Sequence, residues 1–450
     1  MSVNTYIVRP TYHSHLITPP LGMGYVCAYL QQAGFDAHII DGLKENIDNR
    51  ELVSRCRDAD LVGIFCMSDY VWDVIDLTKL LKEEGKIVVI GGPQATVMPK
   101  ETLQYTGADY AVVGEGEQTM LELISDLQKG EVIANIPGLY QRGTDHFIPR
   151  DFFDNLDEIP FPAWDEIDPR TYPPAPHGAV VKAFPVAPIT SSRGCPFSCH
   201  FCASPKIWNR QIRYRSAKNV VDEIELLVNK YQVREIHFED DNLTLKRSHI
   251  EEICEEILWR GIKVHWATPN GIRVDAVTED LLRLMKKSGC YSIAFGIETG
   301  SQEILDNIDK KTDLKTMRSA IRMAHDAGLI TQAFIIFGLP GETTETIKQT
   351  TDMVLSLPLD KAQFLLLDIL PGSRLWDTCG EFDINYFKKR SYQEPGFIPP
   401  GLTAEYLIKA RSRAFRKFHL RPKQLYTILK MIKLKQIRFI LQRIKDFSIF

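Results

Sequence analysis

The 450-residue chain is predicted to be an α/β protein with a doubly wound (Rossmann-like) parallel sheet, then a partial (β/α)6 TIM barrel, then a helical tail. Three observations predict this fold class. Strand-like and helical patterns alternate over the first 130 residues, six further strand-like runs follow a proline-rich stretch, and the chain from Glu405 onward is strongly basic. A chain of this length is expected to form two or three domains.

The composition is that of a folded protein without a membrane span. Hydrophobic residues make up 44% and charged residues 25% of the chain. The longest apolar runs, such as 61–67 and 333–339, hold about seven residues, whereas a bilayer needs roughly twenty. The first ten residues read as a strand and lack the features of a secretory signal. A cytoplasmic location is therefore expected.

In the first part of the chain, strands are predicted at NTYIV, FDAHIID, LVGIFCM, KIVVIGG and DYAVVGEGE. Helices are predicted between them at LGMGYVCAYLQQAG, VWDVIDLTKLLKEEG and MLELISDLQKG. Such alternation indicates a parallel sheet with crossover helices on both faces. Gly34, Gly85 and Gly130 follow these helical patterns, where a C-terminal cap favours a residue that tolerates positive φ. The domain is expected to occupy residues 1–145.

Residues 146–185 are interpreted as an extended linker over the surface. Eight prolines lie between Pro160 and Pro188, and proline at this density blocks helices and central strands. The aromatic residues Phe161, Trp164 and Tyr172 are expected either to pack on the surface or to cap a site.

Residues 186–400 are predicted to form the barrel. Six strands are expected at PVAPITSS, REIHFEDD, KVHWATPN, YSIAFGIE, TQAFIIFG and AQFLLLDI. In a barrel of this kind the chemistry belongs at the carboxyl ends of the strands.

Three of the nine cysteines, Cys195, Cys199 and Cys202, stand together in SSRGCPFSCHFCAS, directly after the first barrel strand. Three thiolates can hold three irons of a [4Fe-4S] cubane and leave the fourth iron open for substrate chemistry. The alternative is zinc with His200 as a fourth ligand, but His200 lies between two of the cysteines and has little freedom to reach the same metal. Isolated cysteines such as Cys254, Cys290 and Cys379 are expected to be buried apolar thiols, although Cys379 lies near the sixth strand and could be reactive.

With Phe201 directly before the last cysteine, this segment resembles the signature of the radical S-adenosylmethionine (SAM) superfamily. The resemblance implies a [4Fe-4S] cluster on the three cysteines that cleaves SAM reductively to a 5′-deoxyadenosyl radical. It also implies an electron donor such as flavodoxin or ferredoxin.

The same resemblance assigns SAM binding to IHFEDDNLT, GIETGS and FIIFGLPGET. Carboxylates can hold a ribose, and Gly and Pro bring backbone edges close to an adenine. The alternative for the acids is an ordinary salt bridge at a strand end. Family members commonly have Gly-Gly-Glu, which contacts the SAM amino group, where this chain has Glu239 followed by two aspartates. The SAM candidates are Phe201, Asp240, Asp241, Glu298, Gly338, Pro340 and Gly341.

The N-terminal domain has no GxGxxG turn, so a dinucleotide fingerprint is absent. Its strand ends carry TPPLGMGY, CMSDY, IGGPQATV and VVGEGEQTM, which resemble the cobalamin-binding domain of cobalamin-dependent radical SAM enzymes. Candidate cobalamin contacts, chosen by loop position, are Leu21, Gly22, Ser68, Gly91, Gly92, Pro93, Gly114, Glu115, Gly116 and Glu117.

No histidine is expected below the cobalt. Asp36, His38 and Gly42 are one residue too long for the Asp-x-His-x-x-Gly motif, and His38 lies in a predicted strand. His13 and His15 lie in the correct loop but lack the motif, so they are expected to be solvated.

Residues 401–450 are predicted to be a basic helical region. Thirteen Lys or Arg stand against two acids from Glu405 to Phe450, and apolar residues recur with helical spacing from Leu425 to Phe447. Such a helix either contacts an anionic membrane surface peripherally or packs on the acidic body of the chain. Nucleic acid is not expected as a partner, because no other basic stripe exists.

The leading hypothesis is a cobalamin-dependent radical SAM methyltransferase that methylates an unactivated carbon of a small-molecule substrate. A radical cyclase, dehydratase or isomerase without methyl transfer is the first alternative, since the magnesium-protoporphyrin monomethyl ester cyclase resembles this domain order. A cobalamin or iron-sulfur binding module without turnover is the second.

Overall fold

The computed structural model describes residues 3–14, 16–174, 181–380, 382–389, 394–433 and 436–437. The chain forms two compact units. The first holds residues 1–173, 206–208 and 380–389, and the second holds the remainder. His15, which the sequence placed in a solvated loop, lies outside the described residues.

The first unit is built on one six-stranded sheet. Its strands are β1 (Thr5–Arg9), β2 (Ala37–Asp41), β3 (Leu61–Phe65), β4 (Ile87–Gly91), β5 (Tyr110–Val112) and β6 (Leu139–Gln141). The order is β2-β1-β3-β4-β5-β6, and all neighbours are parallel except β5 and β6. The strand order reverses between β1 and β3, and such a reversal opens a binding crevice at the carboxyl edge of a sheet.

The helices of this unit include the three that the sequence predicted, now α1, α4 and α7. The full set is α1 (Leu21–Gln32), α2 (Gly42–Glu45), α3 (Asn49–Arg55), α4 (Val71–Glu83), α5 (Pro93–Val97), α6 (Pro99–Thr106) and α7 (Glu117–Lys129). Gly34, Gly85 and Gly130 have φ of 86°, 71° and 70°, which confirms their predicted place at helix ends.

Residues 156–172 pack as part of the first unit, whereas the sequence predicted a linker draped over the surface. Trp164 is 2% exposed and Ile167 is fully buried. The segment fits against α1 because Gly24 has no side chain: a Cβ there would lie 2.7 Å from Ile167 and 2.9 Å from Pro162. Tyr172 donates a hydrogen bond of 2.8 Å to Asp41 at the end of β2. These buried aromatics therefore hold the segment onto the sheet domain.

The second unit confirms the six predicted barrel strands. They are β7 (Val186–Ile189), β10 (Glu235–Phe238), β11 (His265–Ile272), β12 (Cys290–Glu298), β13 (Ile330–Phe337) and β14 (Lys361–Leu366). All neighbours are parallel and follow chain order from β7 to β14. A separate antiparallel pair, β8 (Ser192–Gly194) and β9 (Ile212–Tyr214), carries the cysteine segment between its strands.

Helices alternate with these strands, as a partial barrel requires. They are α8 (Ser204–Ile207), α9 (Ala217–Tyr231), α10 (Arg247–Trp259), α11 (Glu279–Lys287), α12 (Gln302–Asn307), α13 (Leu314–Asp326), α14 (Thr344–Ser356) and α15 (Arg374–Thr378).

The C-terminal region begins with two helices, α16 (Ala404–His419) and α17 (Pro422–Met431). Phe418 of α16 is fully buried, and its ring lies 6.3 Å from that of Phe364 in β14. The predicted amphipathic helix from 425 to 447 is thus observed as far as Met431, and its part beyond 437 lies outside the described residues. No helix in the described ranges is long and apolar enough to cross a membrane.

Candidate active site

The three clustered cysteines lie where the sequence placed them, at the carboxyl end of β7. Cys195 directly follows β8, Cys199 and Cys202 precede α8, and all three thiols are free and half-buried. The Cys202 N–H donates to the Cys199 carbonyl at 3.1 Å, which turns the loop between them. Burial raises the pKa of Cys195 and Cys199, and raises that of Cys202 to about 12. The Cys199 charge adds to the rise at Cys195 and Cys202, and the Cys195 charge adds to it at Cys202.

Positive charge surrounds this loop. The Arg273 guanidinium stacks 3.7 Å from the ring centroid of Phe197, and the Lys310 ammonium lies 5.8 Å from that of Phe201. Burial has the largest effect on the pKa of Cys199 and raises it, while Lys310 and Arg273 lower this pKa and Glu298 and Asp309 raise it. Cations beside thiols favour the thiolate form, which is the form that binds metal. The three thiols and their surroundings therefore fit a [4Fe-4S] cluster.

His200 is engaged elsewhere and does not serve the alternative of a zinc site. Arg374 donates to the Nε2 atom of His200 at 3.0 Å, so the lone pair of that nitrogen is already used. The backbone of His200 donates to Ile308 and accepts from Leu375, each at 3.0 Å. Burial first, and then the Arg374 charge, lower the pKa of His200. The imidazole thus fixes the loop from outside.

The Asp240 carboxylate is engaged in hydrogen bonds within the protein. The carboxylate is 2% exposed and accepts hydrogen bonds from the Ser191 backbone and hydroxyl and from the Ser192 hydroxyl, at 2.6 to 3.2 Å. These serines lead into β8. Asp240 therefore positions the start of the cysteine segment, and its contact to SAM stays a prediction.

The next residues in the loop after β10 are better placed for a ligand. Asp241 is exposed, and it raises the pKa of Cys195 and Cys202 after the larger effect of burial, so its carboxylate lies near both thiols. Asn242 is 1% exposed, and neither its amide nitrogen nor its amide oxygen has a partner within the described structure. A buried amide without partners is costly, so a polar ligand or water is expected there. This loop fits a polar molecule such as SAM.

Glu298 ends β12 in a left-handed conformation with φ of 64°. Its carboxylate forms a buried ion pair with Lys310 at 2.6 Å, the side chains being 7% and 9% exposed. Gly296 makes room for the pair, because a Cβ there would lie 2.6 Å from the Glu298 carboxylate. The salt bridge expected as the ordinary alternative is thus present, and it lies against Cys199 and the Phe201 ring.

Residues 338–342, with the sequence GLPGE, form a tight turn after β13. Gly338 and Gly341 have φ of 93° and 86°, and a Cβ on Gly341 would lie 2.7 Å from Asn307. Pro340 between them is half-buried. Glu342 accepts from the Gly338 N–H at 2.6 Å and from the Leu339 N–H, and burial raises its pKa to about 8. The Glu342 carboxyl group therefore fixes the backbone of this turn.

In the first unit, the candidate cobalamin contacts gather around one side chain that the sequence interpretation missed. Phe65 ends β3, and its ring is the nearest neighbour of Gly22 at the start of α1. A Cβ on Gly92, whose φ is 99°, would lie 2.8 Å from the Cys66 carbonyl and 2.9 Å from the Phe65 ring. The ends of β3 and β4 and the start of α1 thus meet at Phe65, with Leu21, Gly91 and Pro93 beside them.

Polar groups line the same edge. The Ser68 hydroxyl donates to Gln94 at 2.6 Å, and the Gly114 N–H donates to Thr96 at 3.1 Å. The Tyr70 hydroxyl is buried with no partner among the described residues. The tight backbone turn at Gly92 and the unsatisfied Tyr70 hydroxyl together fit a large ligand with amide groups, such as cobalamin.

The turn that leads into α7 is partly closed by the protein. Glu115 is 6% exposed and accepts from the Phe153 N–H at 2.9 Å. Glu117, at the first position of α7, is 3% exposed. A Cβ on Gly116 would lie 3.3 Å from the Val26 side chain. These two acids are thus buried structural groups, and a ligand would meet the backbone of the turn.

The rejected histidine motif is confirmed as part of the sheet. His38 lies in β2, and its imidazole lies 3.0 Å from Asp36 and 3.2 Å from Glu166. Cys254 and Cys290 are buried as expected, whereas Cys379 is half-buried.

Two family matches cover these two sites. Residues 12–124 match the B12 binding domain, and residues 189–354 match the Radical SAM superfamily. Together they define an enzyme class in which a cobalamin domain precedes a SAM-cleaving barrel.

The chain is 32% identical over 418 residues to the uncharacterized methyltransferase PH0819 of Pyrococcus horikoshii, covering 90% of this chain and 89% of the relative. It is 29% identical over 433 residues to the anaerobic magnesium-protoporphyrin IX monomethyl ester cyclase of Cereibacter sphaeroides, covering 92% of this chain and 70% of that relative. The fold is shared with the radical SAM methyltransferase TsrM of Kitasatospora setae, with a TM-score of 0.74 at 19% identity over 97% of this chain and 90% of that one.

The chain belongs to the cobalamin-dependent radical SAM enzymes. Its cofactors are accordingly a [4Fe-4S] cluster, SAM and cobalamin, and its substrate is a small molecule.

Proposed function

We propose that this enzyme transfers a methyl group from SAM, by way of cobalamin, to an unactivated carbon of its substrate. The observation that carries the proposal is the presence of both cofactor domains in one chain that is 32% identical to a protein named as a methyltransferase. When bound, the cluster supplies the electron that cleaves SAM, and cobalamin carries the methyl group.

The residues of the barrel have distinct proposed roles. Cys195, Cys199 and Cys202 hold the cluster, while Asp241 and Asn242 offer polar groups to SAM. Support comes from the proximity of Asp241 to two of the thiols and from the unsatisfied amide of Asn242. Further contacts to SAM are proposed for Phe201, Glu298, Gly338, Pro340 and Gly341.

Cobalamin is proposed to bind the carboxyl edge of the first sheet. The turn at Gly92 supplies backbone that no side chain obstructs, and the ring of Phe65 lies beside it. The proposed limits are 1–145 for this domain, 146–185 for the proline-rich segment, of which residues up to 173 belong to the first unit, 186–400 for the barrel and 401–450 for the tail.

The first experiment is anaerobic reconstitution of the full chain with iron, sulfide and cobalamin, followed by reduction with dithionite and incubation with SAM labelled in its methyl group. Formation of 5′-deoxyadenosine, which is lost in Cys199→Ala but kept in the control Cys254→Ala at a buried thiol of α10, is expected. Label recovered in a substrate drawn from candidate methyl acceptors supports methyl transfer. Cleavage of SAM with a changed substrate that carries no label favours a cyclase, the activity of a relative that is 29% identical.

We also propose that the electron donor is an acidic one-electron carrier such as flavodoxin or ferredoxin. No acidic residue occurs between Asp168 and Asp222, and eight Lys or Arg lie there together with the three cysteines. Exposed Arg210 lies against the cysteine loop, since its Nε–H donates to the Pro196 carbonyl at 3.4 Å. Cations beside a redox centre attract an acidic partner and raise its association rate.

The donor proposal is tested by charge reversal. Arg210→Glu is expected to slow SAM cleavage driven by reduced flavodoxin and to leave cleavage driven by dithionite unchanged, because dithionite needs no docking surface. Arg50→Glu, at an exposed cation of α3, is the matched control. Equal rates with flavodoxin for Arg210→Glu and the wild type would contradict the proposal.

A further inference from the structure

Exposed apolar side chains are concentrated in the C-terminal region. Ten large apolar side chains are exposed in the described chain, and half of them lie between 420 and 437. They are Leu420 (58% exposed), Leu425 (42%), Tyr426 (66%), Leu429 (69%) and Ile437 (41%). A soluble surface seldom collects large apolar groups in one place without a partner.

The side of α17 that carries Gln424 packs against the body of the chain. Gln424 is 2% exposed and donates to the Leu359 carbonyl at 2.9 Å, and Arg421, just before the helix, donates to the Leu355 carbonyl at 2.8 Å. Because successive residues turn by about 100° around a helix, Tyr426 and Leu429 point away from Gln424. Within the described residues, the body of the chain therefore packs on one side of α17 and leaves Tyr426 and Leu429 exposed on the other.

Positive charge borders this apolar side. No acidic residue occurs between residues 406 and 445. Lys430 is exposed on α17 and Lys417 is exposed at the end of α16, whereas the ammonium of Lys423 lies 3.7 Å from the Asp360 carboxylate. The rest of the chain is acidic, since the whole protein has a formal charge of -4 although this region is strongly positive.

We propose that α17 binds the surface of an anionic lipid bilayer, with Leu425, Tyr426 and Leu429 entering the headgroup region and the flanking lysines contacting lipid phosphates. An amphipathic basic helix binds such a surface by burying its apolar side and attracting anionic headgroups. Nucleic acid would satisfy the lysines but leave three large apolar side chains in water. This inference is independent of the proposed function.

The test is flotation of the full-length, cluster-loaded enzyme with vesicles of phosphatidylcholine alone or mixed with phosphatidylglycerol. Binding is expected only to the mixed vesicles and is expected to fall with added salt, because salt screens the lysines. Leu429→Glu is expected to abolish binding. Lys430→Gln is expected to weaken it about fivefold, the equivalent of about 1 kcal/mol per cation.

Val132→Glu is the matched control, because Val132 is 87% exposed on the first unit and its change should leave vesicle binding intact. Equal binding to both kinds of vesicle, or none to either, would overturn the proposal. Dimers that dissociate in Leu429→Glu, seen by sedimentation without vesicles, would also overturn it and assign the surface to a second copy of the chain. SAM cleavage is measured in parallel and is expected to be unchanged in all three variants.

Discussion

Removing Lys310 is expected to destabilise the barrel strongly, because its partner is buried. The Lys310–Glu298 pair is 2.6 Å long, with side chains 9% and 7% exposed. In Lys310→Met the Glu298 carboxylate would keep its burial and lose its counter-charge, which costs about 3–5 kcal/mol when one partner of a buried pair is removed. For a large domain, a loss of about 3 kcal/mol corresponds to a fall of roughly 6–12 °C in Tm.

The double variant Lys310→Met with Glu298→Gln separates charge from shape. It removes both charges and keeps the side-chain volumes close to the original, so it should recover more than half of the lost Tm. The assay is thermal unfolding followed by circular dichroism on chain without cluster, which keeps cofactor binding out of the comparison. A single variant that melts within about 2 °C of the wild type would refute the reasoning, because such a change amounts to at most about 1 kcal/mol.

Three further outcomes are expected. Asp240→Asn should lower iron content after reconstitution although Asp240 is no ligand, since an amide cannot accept all the serine hydrogen bonds at once; iron analysis that matches the wild type would contradict this. Gly92→Ala should lose cobalamin while Gly107→Ala keeps it, because both have positive φ but only the Gly92 Cβ would meet a backbone carbonyl at 2.8 Å. Bound cobalamin is read from the visible spectrum, and equal occupancy would refute the clash. Glu342 has a pKa near 8, above its unfolded value, so its contribution to stability is complete at low pH and is lost as pH rises towards 8. Glu342→Gln should therefore flatten the fall of Tm between about pH 5 and 8, and a parallel fall in both proteins would contradict the assignment.

The strands and the cysteine loop could be predicted because their signals are local. Each barrel strand is an apolar run between turn residues, and the spacing of Cys195, Cys199 and Cys202 lies within eight residues. Gly34 likewise ends a helix because glycine itself tolerates the positive φ found there.

Contacts between distant segments could not be predicted in this way. Nothing near Glu298 in the sequence shows that Lys310 would turn back to pair with it, and the short runs of β8 and β9 become strands only by pairing with each other. The hydrogen bonds to Asp240 could not be predicted, because Ser191 and Ser192 approach it from 49 and 48 residues away. Phe65 reads as an ordinary strand residue until the turn at Gly92 packs against it.

The loop that carries the three thiols is fastened by protein contacts on several sides. Asp240 holds its entry, Asp309 accepts from the Ser198 hydroxyl at 2.8 Å, and Arg374 holds His200. These contacts come from residues far apart in the sequence, so the positions of the thiols depend on the integrity of the whole barrel. A substitution in a distant loop is therefore expected to disturb the thiols without changing any cysteine.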